Sequence, residues 1–137
     1  MYLVLVIYNE NNYYRKMMEL QQKYLKHGEN YDVYYVEYRK DIEEDIIIKN
    51  NIICIKGSEH LLKITSKTII GLDYLINTLG KKYDFVIRTN ISTLINFDVL
   101  EKELQNIPKE NVYATANNMK VNNLDYTSGI NKGMYIG

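Results

Sequence analysis

Residues 2–8 restrict the fold of this chain more than any other segment. The run is rich in β-branched residues and shows no alternation of polar and apolar side chains. Such a run is typical of a β-strand buried on both faces, as in the parallel sheets of α/β proteins. It is too short to span a bilayer, and it lacks the basic segment and the cleavage site of a secretion signal. We therefore expect the first strand of an α/β fold here and no transmembrane segment.

Strand-like and helix-like segments alternate along the rest of the chain. Apolar runs predict strands at 31–38, 84–88, 112–116 and about 134–136. The apolar runs 46–48 and 52–55 flank Lys49-Asn50-Asn51, which predicts either a short hairpin or a strand with an interruption. Residues 117–125 are rich in asparagine and are predicted to form a loop.

Apolar residues at helical spacing predict three helices. The first begins at Asn11 or Asn12 and ends at His27-Gly28, and the second covers about 59–79 and ends at Gly80. The third covers about 98–106, where Asp98-x-x-Glu101 has the spacing of a capping box.

The order of these elements predicts the fold class. Strands that alternate with helices are typical of a three-layer αβα domain with a mainly parallel sheet and right-handed crossovers. We expect one such domain over residues 1–137. Because the chain ends in a predicted strand without a closing helix, we also expect a truncated or minimal form of a longer fold.

Composition and missing motifs exclude several function classes. The 17 basic and 17 acidic residues cancel, so no general field attracts the chain to nucleic acid or to an acidic membrane. The single cysteine, Cys54, lies in an apolar run and is interpreted as a buried apolar residue in a reducing, cytoplasmic setting. No glycine-rich dinucleotide motif, Walker A motif, nucleophile elbow or zinc-ligand cluster is present.

Residues 82–93 contain the strongest functional signal. The apolar run Phe85-Val86-Ile87 is followed directly by Arg88, Thr89, Asn90 and Ser92. This pattern predicts a buried strand whose carboxyl end presents polar groups at the edge of the sheet. Ligands of open α/β sheets bind at such edges. We expect the end of this strand to share one cleft with the end of the first strand.

In these residues the chain resembles the donor-binding half of GT-A-fold glycosyltransferases, of the galactosyltransferase or Fringe type and their viral and bacterial relatives. Members of that group have a helix with a Lys-Thr pair, then an apolar strand that ends in Asp-x-Asp. The matching residues here are Glu59, Ile64, Lys67-Thr68-Ile69, Leu72, Tyr74-Leu75 and residues 83–93, and farther on Tyr113-Ala114 and Ser128-Gly129. The specific part of the resemblance lies in 59–93.

The resemblance implies transfer of a sugar from a nucleotide-diphosphate sugar, UDP-linked by preference, to a glycan or protein acceptor. It implies that Tyr8 stacks on the uracil ring, that Asn9 binds the edge of that ring and that Lys67 reaches a phosphate. The implied donor-binding residues are Tyr8, Asn9, Glu59, Lys67, Arg88, Thr89, Asn90 and Ser92. No catalytic base is assigned. For a viral chain of this type the expected location is the host cytoplasm.

The resemblance also implies a divalent cation, Mn²⁺ or Mg²⁺, on the diphosphate. The Asp-x-Asp position matches Asn90-Ile91-Ser92, or Arg88-Thr89-Asn90 in a shifted register, and neither contains a carboxylate. Because these cations prefer carboxylate oxygens, the sequence predicts weak metal binding at Asn90 and Ser92, or a replacement of the metal by Arg88.

Plainer interpretations stand beside these. Lys67 is by default a solvated helix lysine, and Glu59 interacts with a helix dipole without any ligand. Asn90 and Ser92 are common turn residues. Arg88 is equally expected to pair with an acid at Asp84, Glu59 or Asp98. At the level of function the alternatives are a catalytically degenerate binding or assembly module, and a nucleotide-binding domain unrelated to sugars.

Overall fold

The computed structural model describes residues 1–24, 30–110, 112–114, 120–121, 124–125 and 134–136. Two units are distinguished, Met1–Leu94 and Ile95–Gly137, and each is described by itself.

The first unit is built on a mixed five-stranded sheet. Three of its pairings, β1 with β2, β1 with β5 and β2 with β4, are parallel, and β3 pairs with β4 antiparallel. The order across the sheet is β3-β4-β2-β1-β5. The α/β class and the mainly parallel sheet are confirmed. The strands are β1 (Tyr2–Ile7), β2 (Tyr31–Arg39), β3 (Ile46–Lys49), β4 (Ile52–Lys56) and β5 (Phe85–Asn90).

Two helical segments connect these strands. Helix α1 (Asn12–Tyr24) follows β1, and the Asn11 side-chain oxygen accepts from the amides of Tyr13 and Tyr14 at 3.0 and 2.8 Å. Asn11, rather than Asn12, is therefore the N-cap. The predicted end of this helix at His27-Gly28 lies outside the described residues. The second predicted helix is a 3₁₀ turn (Leu61–Lys63), helix α2 (Ile64–Asp73) and a π-helical turn (Tyr74–Thr78).

The two helices cover opposite faces of the sheet. Neighbouring residues of a strand point to opposite faces. On β2, the Tyr35 hydroxyl donates to Gln21 of α1, whereas Val36 lies against Gly71 of α2. A Cβ at residue 71 would come 3.3 Å from Val36, so the absent side chain allows this close approach. The face toward α2 contains the buried core, with Leu3, Leu5, Ile7, Val36, Ile53, Ile55 and Leu75.

The predicted hairpin is confirmed. Asn50 and Asn51 join β3 to β4 and both have positive φ, 48° and 62°. Asparagine tolerates this left-handed conformation better than most residues, and two-residue hairpin turns need it.

The predicted boundaries and burial of β5 are wrong. The strand continues through Asn90, because its register with β1 pairs Leu5 with Arg88 and Ile7 with Asn90. It lies at the edge of the five-stranded sheet, and Val86, Arg88 and Asn90 are exposed on one face. Thr89 and Asn90 are thus strand residues rather than residues of the loop that follows.

In the described residues of the second unit the chain forms helix α3 (Phe97–Gln105) and four short strands. The Asn96 side chain accepts from the amide of Val99 at 3.1 Å, so the cap is Asn96 and the predicted capping box at Asp98 is wrong. Strand β6 (Val112–Ala114) pairs antiparallel with β9 (Met134–Ile136), which confirms both predicted strands within the described residues; residues 115 and 116 of the first prediction lie outside them. Strands β7 (Lys120–Val121) and β8 (Leu124–Asp125) pair where a loop was predicted.

No helix within the described ranges is long and apolar enough to cross a membrane.

Candidate functional site

The carboxyl ends of β1 and β5 lie side by side. Their register pairs Ile7 with Asn90. From β1 the chain passes through α1 to β2 on one side, and it reaches β5 on the other side only after β4 and α2. The strand order therefore reverses between β1 and β5, and a crevice outside such a reversal is the usual ligand site of an open α/β sheet. The predicted meeting of these two strand ends is confirmed.

A cavity of about 500 Å³ opens at this point, within the usual range for small-molecule sites. Six of the eight predicted donor-binding residues line it, whereas Arg88 and Thr89 do not. The six are Tyr8, Asn9, Glu59, Lys67, Asn90 and Ser92. Apolar surface comes from Ile7, Leu61, Ile64 and Ile91. All these residues belong to the first unit.

Lys67 is buried, with only 2 % of its surface exposed, so its interpretation as a solvated helix lysine is wrong. Its ammonium lies 2.9 Å from each carboxylate oxygen of Glu59 and donates to the Tyr8 carbonyl at 2.6 Å. One Glu59 oxygen also accepts from the Tyr38 amide at 2.6 Å. The charges of Lys67 and Glu59 compensate each other, so the pair ties α2 to β1 and β2 at the base of the cavity.

Tyr8 does not present a ring for stacking. Its side chain is 1 % exposed, and its ring contacts that of Tyr35 edge-to-face with centroids 5.9 Å apart. Its hydroxyl donates to Glu10 at 2.6 Å. Burial, together with the Glu10 carboxylate, raises the pKa of Tyr8 far above its ordinary value. The predicted stacking of Tyr8 on uracil is corrected on this ground, because the ring is part of the core.

Asn9, Asn90 and Ser92 are exposed and border the cavity. Their amide and hydroxyl groups both donate and accept hydrogen bonds, so they suit hydroxyl, carbonyl or phosphate oxygens. Arg88 lies on the same strand face as Asn90, two residues and about 6.6 Å earlier along β5.

The donor set does not fit a Mg²⁺ or Mn²⁺ ion. Asn90 and Ser92 offer neutral oxygens, whereas these cations prefer carboxylates. Among the described lining residues Glu59 has the one carboxylate, and both of its oxygens bind Lys67. Within the described part of the chain, no group of three or more His, Cys, Asp or Glu side chains is arranged to hold a metal.

Two features of the site were missed from the sequence. His60 lines the cavity, and its Nδ1 accepts from the Leu62 amide at 3.2 Å, so it caps the 3₁₀ turn. Histidine is not one of the residues preferred at helix N-caps, so the sequence carries no clear signal for this cap. Glu37 is the second feature, a strand residue that is 1 % exposed. Nothing local in the sequence marks this glutamate as buried.

Glu37 lies among charged and polar neighbours on the face of the sheet opposite to the core cluster. One carboxylate oxygen accepts from the Glu10 amide at 3.0 Å, and the other lies 3.6 Å from Arg39 and 3.7 Å from the Cys54 sulfur. Burial raises the pKa of Glu37, and Arg39 opposes this shift. Burial and the Glu37 charge also raise the pKa of the Cys54 thiol to about 11, so this cysteine is a poor nucleophile.

The raised pKa of Glu37 predicts a pH-dependent stability. The folded protein holds the Glu37 proton more tightly than the unfolded chain, whose glutamates titrate near their ordinary value of 4.5. The free energy of unfolding of the natural protein should therefore fall, relative to that of Glu37→Gln, as the pH rises above this value. Urea unfolding of both proteins between pH values of about 4.5 and 7.5 measures this difference. The exposed Glu43→Gln serves as the charge control, and a difference that does not change with pH contradicts the prediction.

The arrangement suits a ligand with an apolar face and a hydrogen-bonding edge. Ile7, Leu61 and Ile64 offer the apolar contact, and Asn9, Asn90 and Ser92 offer the polar one. The charge of Lys67 is already compensated by Glu59, so the polar groups that Asn9, Asn90 and Ser92 offer to the cavity are neutral. Comparison with models of known protein families, with curated proteins and with solved structures finds no match for this chain.

Proposed function

We propose that the chain binds a nucleotide-diphosphate sugar, UDP-linked by preference, in the cavity between the ends of β1 and β5. We propose further that it has a GT-A-type three-layer fold and is a cytoplasmic glycosyltransferase, or the donor-binding portion of one, acting on a glycan or protein acceptor. The single observation that carries the proposal is the cavity itself. It lies at the reversal of strand order and is lined by six residues that the resemblance to glycosyltransferases implies.

The lining supports a division of roles. The apolar side chains of Leu61 and Ile64 provide a surface for a nucleobase, and the Asn9 amide can bind its edge. Asn90 and Ser92, at the end of β5 and in the turn after it, can bind sugar hydroxyls or phosphate oxygens. The exposed Arg88, on the same face of β5, supplies a positive charge within one side-chain length of that end of the strand.

A second function is favoured by one observation, the commitment of the Glu59 carboxylate to Lys67. With that carboxylate neutralised, none of the described cavity residues offers a free carboxylate as a catalytic base. A binding or assembly module that recognises the nucleotide sugar without transferring it agrees with this lining.

Removal of the Asn90 amide should weaken the binding of UDP-glucose about 2- to 13-fold, because a net hydrogen bond is worth about 0.5–1.5 kcal/mol. Isothermal titration of the natural protein and of Asn90→Ala, with and without Mn²⁺, measures this change. Asn77→Ala is the matched control. Asn77 is an exposed asparagine of the π-helical turn, and its amide donates to the Asp73 side chain rather than lining the cavity. We expect Asn77→Ala to bind UDP-glucose with the affinity of the natural protein.

The same titrations separate the candidate functions. Release of UDP from UDP-glucose that is lost in Asn90→Ala supports transferase chemistry, whereas binding without turnover supports the module. Tight binding of ATP or AMP in preference to UDP-glucose points to a nucleotide site unrelated to sugars. An absence of binding at about millimolar UDP and UDP-glucose, an affinity of only about 4 kcal/mol, overturns the proposal.

A further inference from the structure

The loop between β1 and α1 is held from two sides. On one side Lys67 donates to the Tyr8 carbonyl at 2.6 Å. On the other side the Glu10 amide donates to the buried carboxylate of Glu37 at 3.0 Å. Between these two anchors lies Asn9, whose side chain is exposed and borders the cavity.

The side chain of Glu10 strengthens the second anchor. It accepts from the Tyr8 hydroxyl and from the Arg15 Nε, each at 2.6 Å. Burial works to raise the pKa of Glu10, but the hydrogen bonds from Tyr8 and Arg15 outweigh it and leave the pKa below its usual value. Glu10 is thus a charged link between the loop and the first turns of α1.

The position of Glu37 is costly for the protein. Its carboxylate is 1 % exposed, and its nearest cation, Arg39, lies 3.6 Å away and also donates to Asp41 at 2.7 Å. A buried carboxylate is expensive unless its hydrogen bonds compensate, and an apolar residue of similar size is often no less stable. The stability of the fold therefore does not by itself explain a glutamate at residue 37. Its hydrogen bond with the Glu10 amide of the loop explains it better.

We infer that Glu37 is a positioning residue for the cavity: by accepting the Glu10 amide, it fixes the loop and thereby the Asn9 side chain that faces the ligand. Glu37 itself does not line the cavity. The choice of UDP-glucose as the ligand in the test below rests on the proposed function. The expected effect of Glu37 on the loop does not depend on that function.

The test compares two substitutions of Glu37 that differ in whether the new side chain can accept a hydrogen bond from the Glu10 amide. Glu37→Gln keeps an oxygen that accepts from the Glu10 amide, and Glu37→Met has similar length without an acceptor. Cys54→Ala is the control, because Cys54 contacts the same carboxylate and is 3 % exposed but makes no bond to the loop. This variant measures how a loss of packing around Glu37, without the loss of the hydrogen bond to the loop, changes exchange and affinity.

The first measurement is hydrogen exchange of the Glu10 amide by NMR. We expect the Glu10 amide to exchange about 10-fold faster in Glu37→Met than in the natural protein, because about one hydrogen bond is lost. In Glu37→Gln and Cys54→Ala we expect this amide to exchange at nearly the natural rate. In the natural protein this amide must exchange more slowly than an unstructured one. Exchange at the unstructured rate overturns the inference even if no variant folds.

The second measurement is the affinity for UDP-glucose. We expect Glu37→Met to bind about 3- to 10-fold more weakly and Glu37→Gln to bind within about twofold of the natural protein. An equal loss in Glu37→Met and Cys54→Ala, or unchanged exchange in Glu37→Met, overturns the inference. If the exchange rates behave as expected but UDP-glucose does not bind the natural protein, the positioning role stands and the nucleotide-sugar proposal fails.

Discussion

Substitution of Lys67 by methionine is expected to lower the free energy of unfolding by about 3 kcal/mol, the low end of the range for a broken buried ion pair. The ammonium of Lys67 is 2 % exposed and contacts both Glu59 oxygens and the Tyr8 carbonyl. Without it, the Tyr8 carbonyl loses its lysine donor and Glu59 becomes an unpaired carboxylate. Because the Glu59 side chain is 21 % exposed, water relieves part of the cost, which places the effect at the low end.

Urea unfolding measures this loss, and Lys63→Met is the matched control. Lys63 lies one turn earlier and is exposed; its ammonium makes long contacts to Ser58, at 3.4 and 3.5 Å, and lies 5.4 Å from the centroid of the Tyr38 ring. Its substitution should change the unfolding free energy by less than about 1 kcal/mol. The double variant Lys67→Met with Glu59→Gln removes the unpaired charge and should recover part of the loss. Equal effects of the two lysine substitutions contradict the structural role of the ion pair.

Substitution of Gln21 by leucine is expected to cost about 2–3 kcal/mol, because it leaves buried polar groups without partners. Gln21 is 6 % exposed, and its amide donates to the carbonyls of Ile91 and Thr93 at 2.7 and 2.8 Å. Its oxygen accepts from the Tyr35 hydroxyl at 3.3 Å. Leucine has a similar volume but no polar atoms, so the loss comes from the hydrogen bonds rather than from packing.

The neighbouring glutamine provides the control for this experiment. Gln22 is exposed on the same helix, and Gln22→Leu should change the unfolding free energy by about 0.5 kcal/mol at most. The turn that Gln21 holds, residues 90–93, also contains Ser92, which lines the cavity. UDP-glucose affinity should therefore fall in Gln21→Leu and remain unchanged in Gln22→Leu. A loss of stability in Gln22→Leu as large as that in Gln21→Leu refutes this role of the buried amide.

The sequence predicted the parts of the fold that depend on local pattern. The uninterrupted apolar run of β1 predicted a strand buried on both faces. In the structure β1 lies inside the sheet, between β2 and β5. Because parallel strands end at one edge of a sheet, the meeting of Ile7 and Asn90 followed from the order of the elements. The same reasoning placed Asn9, Asn90 and Ser92 at the cavity.

The sequence did not predict features that depend on distant residues. The edge position of β5 follows from which strands pair with it, and a run such as Phe85-Val86-Ile87 has the same pattern in a central strand. The burial of Lys67 depends on Glu59 and on the Tyr8 carbonyl, 59 residues away. Glu37 stands in a strand that alternates imperfectly, so its burial is set by the loop and by β4 rather than by its neighbours.

The central place of β1 has a consequence for the order in which the molecule assembles. Tyr2 pairs with Tyr31 on one side and with Phe85 on the other, and the amino terminus contacts Asp84 across 83 residues. During synthesis, β1 can pair with β2, and β2 with β4, before β5 has left the ribosome. Contacts between such distant segments form slowly, because a long loop must close first. The cavity between the ends of β1 and β5 therefore cannot form before β5 has joined the sheet.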